Sequence, residues 1–440
     1  MVEVTPHQDE IEKIKNVILG FVNSESFGGI LLFFSALVAM VLANSPLSEL
    51  YFELWEIQLG VIFHEVFVGM SLHYWINDVL MALFFLMVGL EIKRELLYGE
   101  LSEVKKAAFP AFAALGGMVV PAGLFLALNY GTPSQGGFGI PMATDIAFAL
   151  GVLMLLGSRI SLAFKVFLVS LAIVDDMGAV MMIAIFYTHE LSANYLLLSL
   201  GVVALLLLLN RLGVRSLFPY LVLGVVLWIF VHSSGVHATI AAVILAFLIP
   251  VRSKINRSEF RKKIAIALEG LKYHDSDLLE HKEVHSLDAV TEHALEVQNP
   301  LIRLEHALHP ICAYCVMPIF AFANAGVSLA GEIDFGIDAL APGIALGLLV
   351  GKPLGIVLFT FLADRLKLAT KPSNMSWMDV GLAGMLAGIG FTMSIFITSL
   401  AFEETQMVAL SKITILSSSV VAALLGVIGI LMRPKKPIIN

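Results

Sequence analysis

The sequence predicts an all-α polytopic membrane protein of about twelve transmembrane helices. Three observations carry that prediction. Hydrophobic residues make up 58% of the 440 and charged residues only 14%, against about 45–50% and about 25% in soluble domains. The mean hydropathy is +0.90. The few charges follow the connections between apolar runs instead of scattering. A soluble fold of this length would need far more polar surface to cover its core. The 27 basic and 35 acidic side chains give a net charge of −8, which excludes a basic nucleic-acid binder. Two cysteines exclude a disulfide scaffold.

Residues 1–26 are polar and mixed in charge. They lack a short apolar stretch ending in small residues, so they read as a cytoplasmic N-terminal segment and not a signal peptide. A membrane helix needs roughly 20 apolar residues. Such runs lie near 27–44, 76–92, 107–128, 138–157, 162–187, 194–210, 217–231, 236–250, 311–330, 340–362, 377–400 and 408–432. Spans one to eight thus fill 27–250 and spans nine to twelve fill 310–432, with 433–440 as a short tail. The runs at 217–231 and 236–250 are short for a full crossing.

Between the two blocks, 251–309 holds nine Lys/Arg and ten Asp/Glu and reads as one solvated loop. The positive-inside rule orients the chain. The connections after spans one, three, five, seven and nine contain no Lys or Arg. Those after the even-numbered spans carry Lys93, Arg94, Lys105 and Lys106, then Arg159 and Lys165, then Arg211 and Arg215, then the 251–309 loop, then Arg365, Lys367 and Lys371. Lys13, Lys15, Arg433, Lys435 and Lys436 flank the block. Both termini and 251–309 are therefore expected in the cytoplasm. Only Lys352 and Lys412 fall outside the alternation.

An ionisable group at mid-membrane persists where a partner or a wet cavity receives it. Asp145, Asp175, Asp176 and Lys352 are such groups. A lone buried aspartate is ordinarily a salt-bridge partner or a helix cap. Two adjacent ones at the centre of span 162–187 are not. They point about 100° apart on a helix. Two neighbouring desolvated carboxylates resist double ionisation, so they hold protons or a small hard cation. Competition of both for one site is the chemistry of an antiporter. Lys352 needs an anion, and Asp175 or Asp176 is the candidate by depth.

Gly136-Gly137-Phe138-Gly139-Ile140-Pro141-Met142-Ala143-Thr144-Asp145 is poor material for an unbroken helix. A second break is expected at Gly381-Leu382-Ala383-Gly384 to Gly388-Ile389-Gly390, before Phe391-Thr392. The breaks fall in spans four and eleven, each the middle of a three-span group. Paired interrupted spans point to a transport site. Asp145 would suit the positive N-end of the second half-helix. Gly347, Gly351 and Gly355, four residues apart, suit close helix packing instead.

Several segments together resemble the NhaA family of bacterial Na⁺/H⁺ antiporters. They are Ala143-Thr144-Asp145-Ile146-Ala147-Phe148-Ala149-Leu150-Gly151, Ala172-Ile173-Val174-Asp175-Asp176-Met177-Gly178-Ala179 and Gly351-Lys352-Pro353-Leu354-Gly355. To these add Ile76-Asn77-Asp78-Val79-Leu80-Met81, Gly89-Leu90-Glu91-Ile92-Lys93-Arg94-Glu95-Leu96, Ser234-Gly235-Val236-His237-Ala238-Thr239 and Phe320-Ala321-Phe322-Ala323-Asn324-Ala325-Gly326-Val327. The resemblance runs from about residue 20 to 432.

It implies electrogenic, pH-regulated Na⁺ or Li⁺ exchange for H⁺ across the inner membrane, and no cofactor beyond the transported ions. As known properties of that family, it also implies inverted repeats and two discontinuous helices crossing at mid-membrane. Asp176 would be the main cation ligand, with Asp175 joining it and pairing with Lys352 in one state. Thr144 and Asp145 would lie at the crossing, with Asp145 offsetting positive helix ends and Lys352 negative ones. Glu91, Glu305, His306, His309 and His237 would set the pH response. Asp78 would lie near the periplasmic side. The 45–60 loop, with Tyr51-Phe52-Glu53-Leu54-Trp55-Glu56-Ile57 partly alternating, would form a hairpin at a homodimer interface.

One departure is the length of 251–309, which carries His274, His281, His285 and His293 and reads as a solvated insertion able to tune pH sensing or bind a metal. His306, His309, Cys312 and Cys315 share one helical face, but Pro310 interrupts the row and no metal is expected there. Rival classes fit less well. An intramembrane aspartyl protease needs Gly-x-Gly-Asp, which is absent. A prenyltransferase needs an Asp-Asp-x-x-Asp motif, whereas Asp176 is followed by Met177-Gly178-Ala179-Val180. A passive cation channel is closer, but it has no need of Lys352 beside a carboxylate pair.

Overall fold

The computed structural model describes residues 25–63, 66–188, 191–269, 281–329 and 336–433. The expected segments 1–24 and 434–440, with His274, lie outside these. The described chain is almost wholly helical. Seven helices are long and apolar enough to cross a membrane, and three bent pairs raise that to as many as ten. Every one of the expected apolar runs is helical, but two do not reach across. Leu217–Ser233 has 17 residues and Thr239–Leu248 only 10, or about 15 Å against a hydrocarbon core of about 30 Å.

The chain divides into two compact units. The first holds residues up to Phe84, Glu95–Thr188 and Ile311 onward; the second holds Phe85–Arg94 and His189–Pro310. In the first unit, α1 (Glu25–Ala43) is followed at 113° by α2 (Ser48–Glu56). A two-stranded antiparallel hairpin comes next, β1 (Gln58–Phe63) and β2 (Val66–Ser71), with Gln58 opposite Ser71. The hairpin expected over 45–60 is thus displaced, and its first half is a helix. Tyr51 and Trp55, one helical turn apart, are buried on the Phe322 ring in edge-on contacts. Tyr51 also donates to the Phe322 carbonyl at 2.6 Å. That four-residue spacing overrides the partial alternation.

The remaining elements are α3 (Leu72–Tyr98), with a π turn at Trp75–Leu80, and α4 (Val104–Asn129). A 3₁₀ segment (Pro133–Met142) leads into α5 (Ile146–Leu155), then α6 (Leu162–Phe186). In the second unit lie α7 (Ala193–Arg211), α8 (Leu217–Ser233), α9 (Thr239–Leu248), α10 (Arg257–Glu269) and α11 (His281–Val297). They are followed by α12 (Pro300–Asn324), α13 (Leu340–Arg365), α14 (Trp377–Ala387), α15 (Phe391–Ala401) and α16 (Thr405–Leu431).

The 251–309 segment is therefore not one loop. It forms α10, α11 and the first turns of α12. Charge pairing at helical spacing favours this, as in Lys263–Glu259 at 3.3 Å; Lys263–Glu296 at 3.5 Å joins the two helices, and Lys254, just ahead of α10, reaches Glu296 at 2.5 Å. Pro310 lies inside α12 without ending it.

The apolar pattern is that of a protein in lipid. On α7, Ser199 is buried while Leu197 is 71% exposed, the reverse of a soluble helix. Within the first unit, α4 packs along α13 with almost no side-chain volume between them. A Cβ on Gly355 would lie 2.1 Å from the Gly116 carbonyl oxygen, and one on Gly351 would lie 2.9 Å from Pro121 Cα. This is the close packing that the glycine spacing predicts. It seats Lys352 deep in the unit.

Candidate functional site at the helix crossing

Spans four and eleven are interrupted as the glycines predict. The first breaks at Ala143-Thr144-Asp145 with a 42° bend, the second at Gly388-Ile389-Gly390 with a 51° bend. Beside the second break, Gly388 leaves room for the Leu348 carbonyl oxygen, which a Cβ would approach to 2.5 Å.

The breaks touch each other. Asp145 N–H donates to the Ile389 carbonyl at 2.7 Å, and Thr144 Oγ1 donates to the Ala387 carbonyl at 2.9 Å. Backbone groups freed by each break are thus satisfied by the other, as a buried interruption requires. Asp145 serves two helix starts at once. Its Oδ1 accepts from Phe148 N at 2.9 Å at the head of α5, and its Oδ2 accepts from Thr392 N at 3.1 Å at the head of α15. Thr392 Oγ1 also donates to Oδ2. One carboxylate thus accepts from the first turns of two helices, the ends at which the helix dipole is positive.

Lys352 occupies the opposite pole. Its Nζ donates to the Met142 carbonyl at the end of the 3₁₀ segment and to Asp175 Oδ2 at 2.8 Å. Depth alone left Asp175 and Asp176 as equal partners; the geometry selects Asp175. Thr144 Oγ1 lies 2.6 Å from the same Asp175 oxygen. Lys352 and Thr392 are fully enclosed, and Thr144, Asp145, Asp175 and Asp176 are each at most 3% exposed. Asp175 Oδ1 is buried with no hydrogen-bond partner among the described residues. Asp176 is the next residue on α6. The crossing therefore brings together Thr144, Asp145, Asp175, Asp176 and Lys352.

The other expected residues lie elsewhere. Asp78 is buried on the π turn of α3. Glu91, Glu305, His306, His309 and His237 all belong to the second unit. There Arg94 links two of them, with Nε 2.8 Å from Glu305 Oε1 and a guanidinium nitrogen 4.0 Å from Glu91. Lys93 donates to the Phe247 and Ile249 carbonyls at 2.7 and 2.6 Å, tying α3 to the end of α9. Glu305 faces inward on α12, while His306 and His309 lie on its exposed side. His237 sits before α9 and bonds Thr239 Oγ1 at 2.8 Å. Of the His306–Cys315 row, Cys312 is buried and Cys315 exposed. Among the described residues no group of three or more His, Cys, Asp or Glu is placed to hold a metal.

Charge-based reading missed Thr392 and Ser394, which donate across the crossing to Asp145 and to the Ile140 carbonyl, the latter at 2.7 Å. Their signal was position, since both follow the glycines of the second break as Thr144 follows the Gly136–Pro141 cluster of the first. It also missed Ser419, whose Oγ accepts from Phe391 N at 3.1 Å. Lys412, the other outlier of the charge pattern, lies half-buried on α16, close enough to His73 for their charges to interact.

Two interrupted helices crossing at a buried, charge-balanced break define a secondary transporter of the broken-helix kind, for which NhaA is itself a known example. The chain belongs to the Na⁺/H⁺ antiporter 1 family, whose model matches residues 20–430. It is 59% identical over 424 residues to the Na⁺/H⁺ antiporter NhaA of Wolinella succinogenes, covering 96% of this chain and 94% of that one. It is 53% identical over 423 residues to the NhaA of Helicobacter pylori strain G27, covering 94% and 95%. It is 51% identical over 429 residues to the NhaA 2 of Helicobacter hepaticus, covering 96% and 97%. The family is one of transporters, not enzymes, and the chain is a multi-pass membrane protein.

Proposed function

We propose that this chain exchanges Na⁺ or Li⁺ for H⁺ across the bacterial inner membrane, electrogenically and under pH control. The observation that carries the proposal is the state of Asp175. One of its oxygens is held by Lys352 and Thr144, and the other is buried with no hydrogen-bond partner among the described residues, with Asp176 the next residue on α6. Oxygen ligands of this kind suit a small hard cation. The same oxygens take protons when the cation is absent, so the two cargoes exclude each other.

In this reading Asp176 is the principal cation ligand. A cation arriving at Asp175 competes with the Lys352 ammonium, so binding loosens the ion pair at the crossing. Asp145 and Lys352 balance the half-helix ends in both cargo states, and Thr144 positions Asp175. Alternating access then moves the crossing between the two sides of the membrane. No resident cofactor is involved. The Arg94–Glu305–Glu91 group, with His237, His306 and His309, sets the pH response, and Asp78 lies toward the periplasm. Both termini and the α10–α11 segment are cytoplasmic, and two copies associate through the 45–60 region, which holds α2 and the start of β1.

The test uses everted membrane vesicles acidified by respiration, with a pH-sensitive dye. Adding Na⁺ or Li⁺ should release protons from vesicles carrying the wild-type chain and not from those carrying Asp176→Asn. Full activity in that variant rules out the site. Sodium flux without proton movement identifies a passive channel instead.

A further inference from the structure

We propose that His281 and His285 on α11 form a bidentate binding site for a divalent transition cation such as Ni²⁺ or Zn²⁺, separate from the transported ions. The segment His281-Lys282-Glu283-Val284-His285 places the two imidazoles one helical turn apart on the same face. Two histidines at this spacing on a helix are a known chelating arrangement.

The observed geometry matches what such an ion requires. A metal–nitrogen bond of about 2.0–2.1 Å puts each ring centre about 3.2 Å from the ion, so two rings on a tetrahedral ion sit about 5 Å apart. The His281 and His285 ring centroids are 4.8 Å apart with planes at 68°. Both rings are solvent-exposed, and neither has a hydrogen bond or ion pair among the described residues. In this they differ from His293, bonded to Glu296 at 3.0 Å, and from His237, bonded to Thr239. The two accessible rings thus lie close enough together for one ion to reach both, and neither is engaged by another side chain among the described residues.

The surroundings favour a cation. Asp288 and Glu292 follow on the same helical stripe, at seven and eleven residues from His281. No third side chain completes a three-ligand group among the described residues, so water fills the remaining positions. Neutral imidazole pairs select the borderline divalent metals at the top of the Irving–Williams series. Na⁺ and Li⁺, which seek oxygen, are poor partners for this pair. A metal spanning one turn would also staple α11.

The experiment uses the full-length protein without an affinity tag, in detergent micelles, dialysed to equilibrium against NiCl₂. Wild-type protein should bind one Ni²⁺ per chain, undisplaced by excess Na⁺. Cu²⁺ in its place should show nitrogen hyperfine structure in its electron paramagnetic resonance spectrum. His281→Gln or His285→Gln should weaken binding roughly a hundredfold by removing the second, intramolecular ligand. His293→Gln should leave it unchanged. Ni²⁺ should slow amide exchange in α11 of the wild type and not of His285→Gln. Unchanged binding in the His281→Gln/His285→Gln double variant, no stoichiometric Ni²⁺, or displacement by Na⁺ would each overturn the proposal.

Discussion

Asp175 and Lys352 form an ion pair of 2.8 Å in which neither side chain is more than 2% exposed. A pair so enclosed gains little net stability over a well-packed apolar pair, because desolvation offsets the attraction. Breaking it is another matter. Lys352→Met or Asp175→Leu alone should cost about 3–5 kcal/mol, since each leaves an uncompensated charge. The double variant should recover most of that loss. Thermal unfolding in detergent, read as a double-mutant cycle, checks it. Additive losses would show that the pair is not coupled.

Thr144 is a small residue with two obligations. Its single hydroxyl proton lies between Asp175 Oδ2 at 2.6 Å and the Ala387 carbonyl at 2.9 Å. Thr144→Val keeps the shape and removes the donor. The expected cost is about 1–3 kcal/mol, the usual penalty for stranding buried acceptors. Thr144→Ser should retain most of the stability. If Thr144 positions Asp175, the valine variant should also need more Na⁺ for half-maximal proton release in vesicles, while serine should not.

Asp145 separates charge from hydrogen bonding. Asparagine at this position offers one carbonyl oxygen, so it can cap either α5 or α15, not both, and its amide would face the other helix donor to donor. Alanine caps neither. Each lost cap is worth about 0.5–2 kcal/mol. Melting temperatures should therefore fall in the order wild type, Asp145→Asn, Asp145→Ala. Equal losses in the two variants would mean that the charge alone matters.

The residues behind these three predictions are legible in the amino-acid sequence for a physical reason. In an apolar chain an intramembrane charge is rare and costly, so Asp145, Asp175, Asp176 and Lys352 stand out. Glycine and proline clusters likewise expose the two breaks. Pairing is not legible in the same way. Depth leaves Lys352 with two possible partners, because a hydropathy profile fixes position along the membrane normal and nothing in its plane. Thr392 and Ser394 are invisible to a charge-based search because hydroxyls are cheap to bury. Two misreadings have other causes, a family resemblance with partial alternation for the 45–60 hairpin and polar composition for 251–309. Residues 48–56, 257–269 and 281–297 are non-helical by those criteria, yet each forms a helix, with Tyr51–Trp55 packing supporting the first and Glu259–Lys263 pairing the second.

The α4–α13 contact predicts a contrast between two glycines. An alanine Cβ at Gly355 would meet the Gly116 carbonyl oxygen at 2.1 Å, which forces the helices apart. Gly123, also on α4, has nothing within 4 Å of where its Cβ would be. Gly355→Ala should destabilise strongly and disturb Lys352. Gly123→Ala should raise stability by up to about 1 kcal/mol, the gain expected when alanine replaces glycine within a helix. Melting curves of the two variants side by side decide the matter.

The α10–α11 pair yields a prediction with a definite pH sign. The Lys254 hydrogen bond, with His293 and the charges of Lys254 and Lys263 adding to it, draws the Glu296 carboxyl down from its ordinary 4.5 to about 2. A depressed folded-state value means that the unfolded chain takes up the proton first. The contribution of Glu296 is therefore complete above about pH 4.5 and is lost as pH falls toward 2. Across the physiological range the link between the 254 region and α11 should not respond to pH. Amide exchange in α10 and α11, measured at several pH values and corrected for intrinsic rates, should show constant protection from neutrality to about pH 4.5 and a decline below it. Glu296→Gln should remove that decline and leave a uniformly lower protection. A midpoint near pH 6 in the wild type would instead assign the link to a histidine, and His293, bonded to the same carboxylate at 3.0 Å, would be the residue to substitute next.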